Sequence, residues 1–264
     1  MIVLGIDTAT SLVSVAVADG REVLAASESR SERRHAEDLT PMVEFVVQRA
    51  KLTLGEIEAV AVNVGPGLFT GMRVGISTAQ ALAQVLGVRL MGIDGLSALT
   101  AGVPRGSLVG CDVVVPTIDA RRREVAWSLH RVRDDGTTTT VAPPQVGSLA
   151  DLVLTLRERG QNCRLVGEFA RRHAEEIREA IGAQAWSISF ADESLEFPHA
   201  RAVTQLALDK LLAIDSDIDS DIDSDTDGDT LSAGENADLS APSVAALYLR
   251  DADADIHWST RSNV

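Results

Sequence analysis

Cysteine is scarce in this 264-residue chain: Cys111 and Cys163 are the two present, and they form no C-x-x-C pair. That excludes a disulfide framework and a paired-thiol zinc or redox motif, and it fits a reducing, cytoplasmic setting. Aromatic residues make up only 3%. Lys and Arg form no cluster with interleaved aromatics, so independent nucleic-acid binding is not expected. No apolar run reaches the roughly 18 residues of a membrane span. The opening MIVLGIDTAT carries Asp7 and no basic n-region, so it reads as a strand rather than a signal peptide. The five histidines, His35, His130, His173, His199 and His257, make no H-x-x-x-H pair. That spacing would put two metal ligands on one helix face. There is also no G-x-S-x-G elbow. Neither a catalytic constellation nor a metal site is read from the sequence.

What the chain does hold is enough apolar residue, 45%, for a sizeable core. Its net charge of −15 is mostly local. Residues 214–238 contain nine Asp and one Glu with no Lys or Arg, so the rest carries only −5. This D-S-D-I tract repels itself and lacks core residues, which predicts a solvated, mobile insert. Within it, DSDTDGDTLSAG (223–234) matches the start of a calcium loop, with Asp223, Asp225, Asp227 and Gly228 in place. Position twelve is Gly234 instead of glutamate, so the insert is the preferred reading.

Apolar alternation predicts strands over 2–7, 12–18 and 22–27, a helix over 35–52 with Pro41 in its first turn, and a strand over 57–64. A helix over about 71–86, a strand over 88–93 and a short helix complete a first lobe, 1–102. The pattern then restarts. Strands over 113–119 and 124–132 are followed by a helix after the turn at PPQVG, a strand at CRLVG, and helices at EFARRHAEEIREAIG and ARAVTQLALDKLLA. The expected organisation is a second lobe over 103–213, the acidic insert over 214–239, and a C-terminal segment over 240–264. The class is α/β, with two mixed sheets flanked by helices. Ile6-Asp7 and Ile118-Asp119 end the first strand of each half, a hint of internal duplication.

The stretch VNVGPGLFTGMRVG (62–75) is the richest in glycine. It lacks the lysine of a Walker loop, and Pro66 removes an amide that a phosphate nest would use. A compact strand-to-helix corner is the preferred reading. IDTAT (6–10) resembles the first phosphate loop, D-x-G-[ST], of actin- and sugar-kinase-like ATPases, which makes Asp7, Thr8 and Thr10 weak nucleotide candidates. Ala9 stands where glycine belongs, and IDARR (118–122), in the corresponding place of the second half, has no glycine at all. His35 reads as a polar helix-start residue.

Two helices carry more apolar surface than one sheet requires. With Met72 at 0° and 100° per residue, Met72, Gly75, Ile76, Ala79, Leu82, Ala83 and Leu86 form one arc, while Val74, Ala81 and Val85 form another. In the 35–52 helix, Met42 and Phe45 broaden the stripe of Leu39, Val43, Val46, Val47 and Ala50. The surplus predicts a docking surface made by Leu39, Met42, Phe45, Val46, Val74, Thr78, Ala81 and Val85. A standard interface of this kind buries about 1,200–2,000 Å².

MIVLGIDTAT, HAEDLTPMV, VNVGPGLFTGMRVGISTAQALA, GIDGLSAL, IDARRREV and LYLRD together resemble the TsaB (YeaZ) family. The resemblance is close over the first hundred residues or so and looser afterwards, and the acidic insert departs from it. It implies an actin-like (ASKHA, ribonuclease H-like) two-lobe fold. It also implies a non-catalytic subunit of the machinery that makes N6-threonylcarbamoyladenosine at position 37 of tRNA. The catalyst would be a TsaD-type paralogue, joined by a TsaE-type ATPase, with ATP and a metal belonging to those partners. The first-lobe helices would form the interface, or pair two copies of this chain, and tRNA would be met only indirectly. The alternative from another class is a small-molecule kinase or ATPase of the actin-like superfamily.

Overall fold

The computed structural model describes residues 1–30, 34–224 and 244–247. The first sheet contains β1 (Ile2–Asp7), β2 (Leu12–Asp19), β3 (Glu22–Arg30), β4 (Ala59–Asn63) and β5 (Arg89–Ile93), in the order β3-β2-β1-β4-β5. Short turns allow β1, β2 and β3 to run antiparallel. β4 and β5 are parallel to β1, and a parallel step needs a crossover. Helices α1 (His35–Arg49) and α2 (Phe69–Leu86) supply the two crossovers. α3 (Gly95–Ala101) then leads to the second lobe.

There β6 (Val113–Arg121), β7 (Glu124–Val132) and β8 (Thr138–Ser148) form an antiparallel meander. α4 (Leu149–Arg159) crosses to β9 (Cys163–Val166). α5 (Glu168–Arg172) and α6 (Ala174–Ile181) cross to β10 (Ile188–Phe190). The order is β10-β9-β6-β7-β8, with β9 and β10 parallel to β6, so strand order and polarity repeat those of the first sheet. The duplication hinted at by two Ile-Asp pairs is a duplication of topology.

Alternation sorts each strand between two layers. Leu4, Ile6, Val60 and Val62 face α1 and α2 together with Leu39, Val46, Met72 and Ala79. Val3 and the small Ala59 and Ala61 face the other way, onto Val203, Ala207 and Leu211 of α7 (Ala200–Ser224). In the second lobe Val113 and Val115 face α4 and α6, while Val114 and Ile118 pack with Leu96 and Leu99 of α3. α3 is therefore shared by both lobes.

Several expectations are corrected. α1 ends at Arg49 instead of residue 52, and Pro41 lies inside it, beyond the first turn. The turn expected at PPQVG (143–147) is instead part of β8, which as a sheet edge tolerates Pro143 and Pro144, residues that cannot donate to a ladder. The single helix expected over 168–182 is broken at His173 into α5 and α6. α7 overruns the boundary at 213 and is helical through Ser224, so the start of the acidic tract is helix, anchored by Arg89 Nη1 to Asp215 Oδ1 at 2.6 Å. α7 also covers the first sheet, so residues 200–211 pack with the first lobe despite their place in the sequence. Residues 244–247 return there too: Leu247 N–H donates to the Val64 carbonyl at 2.7 Å. The remainder of the insert, most of the calcium-like stretch and the Tyr248-Leu249-Arg250 motif lie outside the described residues.

Candidate functional site

The glycine-rich loop closes onto the turn between β1 and β2. A Cβ built on Gly67 would stand 2.0 Å from the Ala9 carbonyl oxygen, and one on Gly71 2.2 Å from that of Thr8. Only glycine lets the two backbones meet this closely. The contact is bonded as well as packed. Leu68 N–H, at the N-cap of α2, donates to the Ala9 carbonyl at 2.6 Å, and Thr8 Oγ1 donates to the Gly71 carbonyl at 2.7 Å. The N-cap amide of α2 is thus spent on a protein carbonyl instead of being left free for an anion.

The weak nucleotide candidates are all internal: Asp7 and Thr8 are fully buried and Thr10 nearly so. Asp7 Oδ2 accepts from Asn63 Nδ2 at 2.8 Å, and Oδ1 accepts from Ala9 N–H at 2.9 Å. Burial pushes this carboxyl up to about 7, opposed by those two hydrogen bonds and by the charge of His199. The Thr10 carbonyl meets His35 Nε2 at 2.8 Å, so His35, the first residue of α1, ties that helix to the same turn. The structure brings Asp7, Thr8 and Thr10 together, but spends their polar groups inside the protein. Asp119, their counterpart in the second lobe, is held by Arg172 at 3.0 Å and Arg121 at 3.7 Å.

Ion pairs also cross between the lobes. Glu196, with its side chain only 14% exposed, accepts from Arg30 of β3 at 2.6 Å and pairs with Arg171 of α5. Arg172 pairs with Glu168 at 3.2 Å. These groups line a polar cavity of about 510 Å³ beside Ser11. Its arginines are already matched by carboxylates. Among the described residues no group of three or more His, Cys, Asp or Glu could hold a metal ion.

The open feature is apolar. A groove of about 810 Å³ runs between α1 and α2. Val43, Val47, Leu52 and Leu54 form one wall, and Thr78, Ala81, Leu82 and Val85 the other. Val85 is 84% exposed and Leu54 41%. Val74 and Thr78 continue this face toward Phe69 and Arg73, where the Arg73 guanidinium sits 3.8 Å over the Phe69 ring. Of the eight residues expected to dock, Val74, Thr78, Ala81 and Val85 are at least partly exposed on α2. On α1, Phe45 is exposed under Arg49, outside the groove walls. Leu39, Met42 and Val46 are corrected: they are 1%, 8% and 0% exposed, and they pack on the first sheet. The arc that α1 buries on its own sheet is wide enough to take in Met42 together with Leu39, Val43, Val46 and Val47. Leu52, Leu54 and Leu82 were missed. Leu52 and Leu54 come from the loop after α1, where helical periodicity carries no information.

A duplicated five-stranded order, two lobes joined by α3 and α7, and an Asp at the end of each lobe's first strand define the actin-like, ribonuclease H-like class of α/β proteins. The family model described as TsaD, tRNA N6-adenosine threonylcarbamoyltransferase, matches residues 23–215. The Escherichia coli K12 tRNA threonylcarbamoyladenosine biosynthesis protein TsaB is 34% identical over 191 residues, 70% of this chain and 74% of that one. An uncharacterized protein of Mycobacterium leprae is 39% identical over 155 residues, 57% of this chain. The match spans 40% of that protein's length. The solved structure of YeaZ from Pseudomonas aeruginosa superposes with a TM-score of 0.61 at 25% identity, covering 78% of this chain and 90% of that one. The chain belongs to the family this model defines, and within it to TsaB (YeaZ).

Proposed function

We propose that this chain is a non-catalytic subunit of the machinery that makes N6-threonylcarbamoyladenosine in tRNA. In this reading it docks a TsaD-type transferase through the α1–α2 face and holds it in an active form in the cytoplasm. The observation that carries the reading is the pairing of an exposed apolar groove with a closed first-strand loop. The one surface has apolar area to bury, and in the other Asp7 and Thr8 already spend their side chains on protein groups. The naming of its relatives as threonylcarbamoyladenosine biosynthesis proteins supports the same reading. A TsaE-type ATPase joins the pair, and ATP and a metal ion serve the partner subunits. Without its partner, the chain pairs with a second copy through the same helices.

Reconstitution of the tRNA modification from purified components tests this. Omitting the chain should abolish or strongly reduce product. Full activity without it refutes the reading. A second reading, an actin-like ATPase or kinase, is favoured by one observation: Asp7 sits at the end of the first strand of a duplicated fold. It requires ATP turnover by the isolated chain, lost on Asp7→Ala.

A further inference from the structure

Asp7 is a fully buried carboxylate that the docking function, as described so far, does not use. Two hydrogen-bond chains start at it. From Oδ2 the first runs through Asn63, whose Nδ2 donates to Asp7 at 2.8 Å and whose Oδ1 accepts the Gly65 N–H at 2.9 Å. From Oδ1 the second runs through Ala9, whose N–H donates to Asp7 at 2.9 Å and whose carbonyl accepts the Leu68 N–H at 2.6 Å. Both end in the loop from which α2 departs: Gly65 opens it, and Leu68 is the N-cap of the helix. The Gly65 carbonyl in turn accepts from Gly95 N–H at 2.7 Å, so the loop is held from both sides.

We propose that Asp7 is a positioning residue for the docking face: by accepting at both oxygens it fixes the two ends of the loop that aims α2 at its partner. The inference rests on the docking reading for its consequence in binding, but not for its geometry. The polarity of the relay is what makes it specific. With Nδ2 toward Asp7 and Oδ1 toward Gly65, every donor of Asn63 and Gly65 on this path meets an acceptor. Flipping the Asn63 amide sets its NH2 against the Gly65 N–H. Asn63 is also confined, since a Cβ on Gly95 would lie 2.9 Å from its Nδ2. A group at position 7 that accepts at one atom and donates at the other therefore satisfies one chain and breaks the other. A lever this close to the root of α2 moves the far end of the helix, where Val85 lies, more than it moves the loop.

The test is a polarity swap. Asp7→Asn leaves one acceptor and adds a donor, so one of the two chains must fail. Asn63→Asp alone sets two carboxylates face to face. In the double variant D7N/N63D the position-7 amide accepts from Ala9 and donates to the position-63 carboxylate, whose other oxygen accepts from Gly65. The relay is then whole again. Two readouts are taken above pH 7, where Asp7 is ionised and accepts at both oxygens, on wild type, D7N and D7N/N63D: amide hydrogen exchange at Gly65 and Leu68, and affinity for the TsaD-type partner. D7N is expected to speed exchange at one or both amides by on the order of tenfold and to weaken affinity by a similar factor, from the loss of a buried hydrogen bond. Its melting temperature is not expected to fall, because it also removes a buried charge. The double variant is expected to restore both readouts, which a role for Asp7 in holding a nucleotide's metal would not allow. Unchanged exchange in D7N, or a double variant no better than D7N, overturns the inference. If the wild-type chain binds no such partner, the docking reading fails, and the exchange data still decide the relay.

Discussion

Val85→Asp separates docking from folding. Val85 is 84% exposed and lies in the last turn of α2, against the groove. In the free chain its removal stays within about ±0.5 kcal/mol, plus at most ~1 kcal/mol for a negative charge at a helix C-terminus. In the complex the loss is far larger. A buried valine contributes about 1.5–3 kcal/mol, and an unpaired carboxylate forced into an apolar interface costs several more. A total of about 3–5 kcal/mol weakens Kd by roughly a hundredfold to a few thousandfold. Isothermal titration of the TsaD-type partner reads the affinity, and thermal melting of the isolated variant reads the fold. Leu154→Asp is the control: Leu154 is 55% exposed on α4 of the other lobe and is expected to leave Kd unchanged. Leu39→Ala should give the opposite signature, since Leu39 is a core residue and its truncation costs about 2–5 kcal/mol of stability. A Val85→Asp chain that folds and binds like wild type refutes the assignment of this face.

Gly71→Ala forces a methyl group against the Thr8 carbonyl, an overpacking that should cost about 1–3 kcal/mol or more by thermal melting. Gly106→Ala, where the added carbon meets nothing within 4 Å, should melt within about a degree of wild type. Because Asp7 is raised from 3.8 to about 7, the folded chain holds a proton between these values that the unfolded chain releases. Its contribution to stability is complete below about pH 4 and is lost as pH rises through 7, by up to about 4 kcal/mol. Urea unfolding from pH 4 to 8 should show that decline in wild type and a flatter curve in Asp7→Asn; parallel curves would falsify the burial account. Glu196→Gln weakens the link between Arg30 and Arg171 and should lower stability by about 1–3 kcal/mol, less in high salt. An equal effect at every ionic strength would point to packing instead.

Much of the strand pattern in both lobes was legible because hydrophobic alternation is a local signal. β1 and β7 have the bounds that alternation predicts, and β2 and β3 run slightly longer. The corner at 65–71 was legible for a related reason: three glycines and a proline leave few other conformations. β8 was hidden because proline argues against a strand wherever a ladder bond is needed, and nothing local says that Pro143 and Pro144 sit at an edge. The break at His173 was hidden because the apolar spacing runs through it.

On the docking face, the 100° wheel shows how many apolar residues a helix carries, but not which arc its own sheet covers. It therefore gave α2 its exposed arc and misassigned Leu39, Met42 and Val46 on α1. Hydrophobic periodicity by itself determined the class, the two-lobe order and the exposed arc of α2, because these follow from spacing along the chain, and the quoted motifs carried the family resemblance. The return of α7 to the first sheet, the burial of Asp7 and the relay from it to Gly65 and Leu68 were decided only by the tertiary structure. They join residues far apart in sequence, and such contacts are set by which faces pack together.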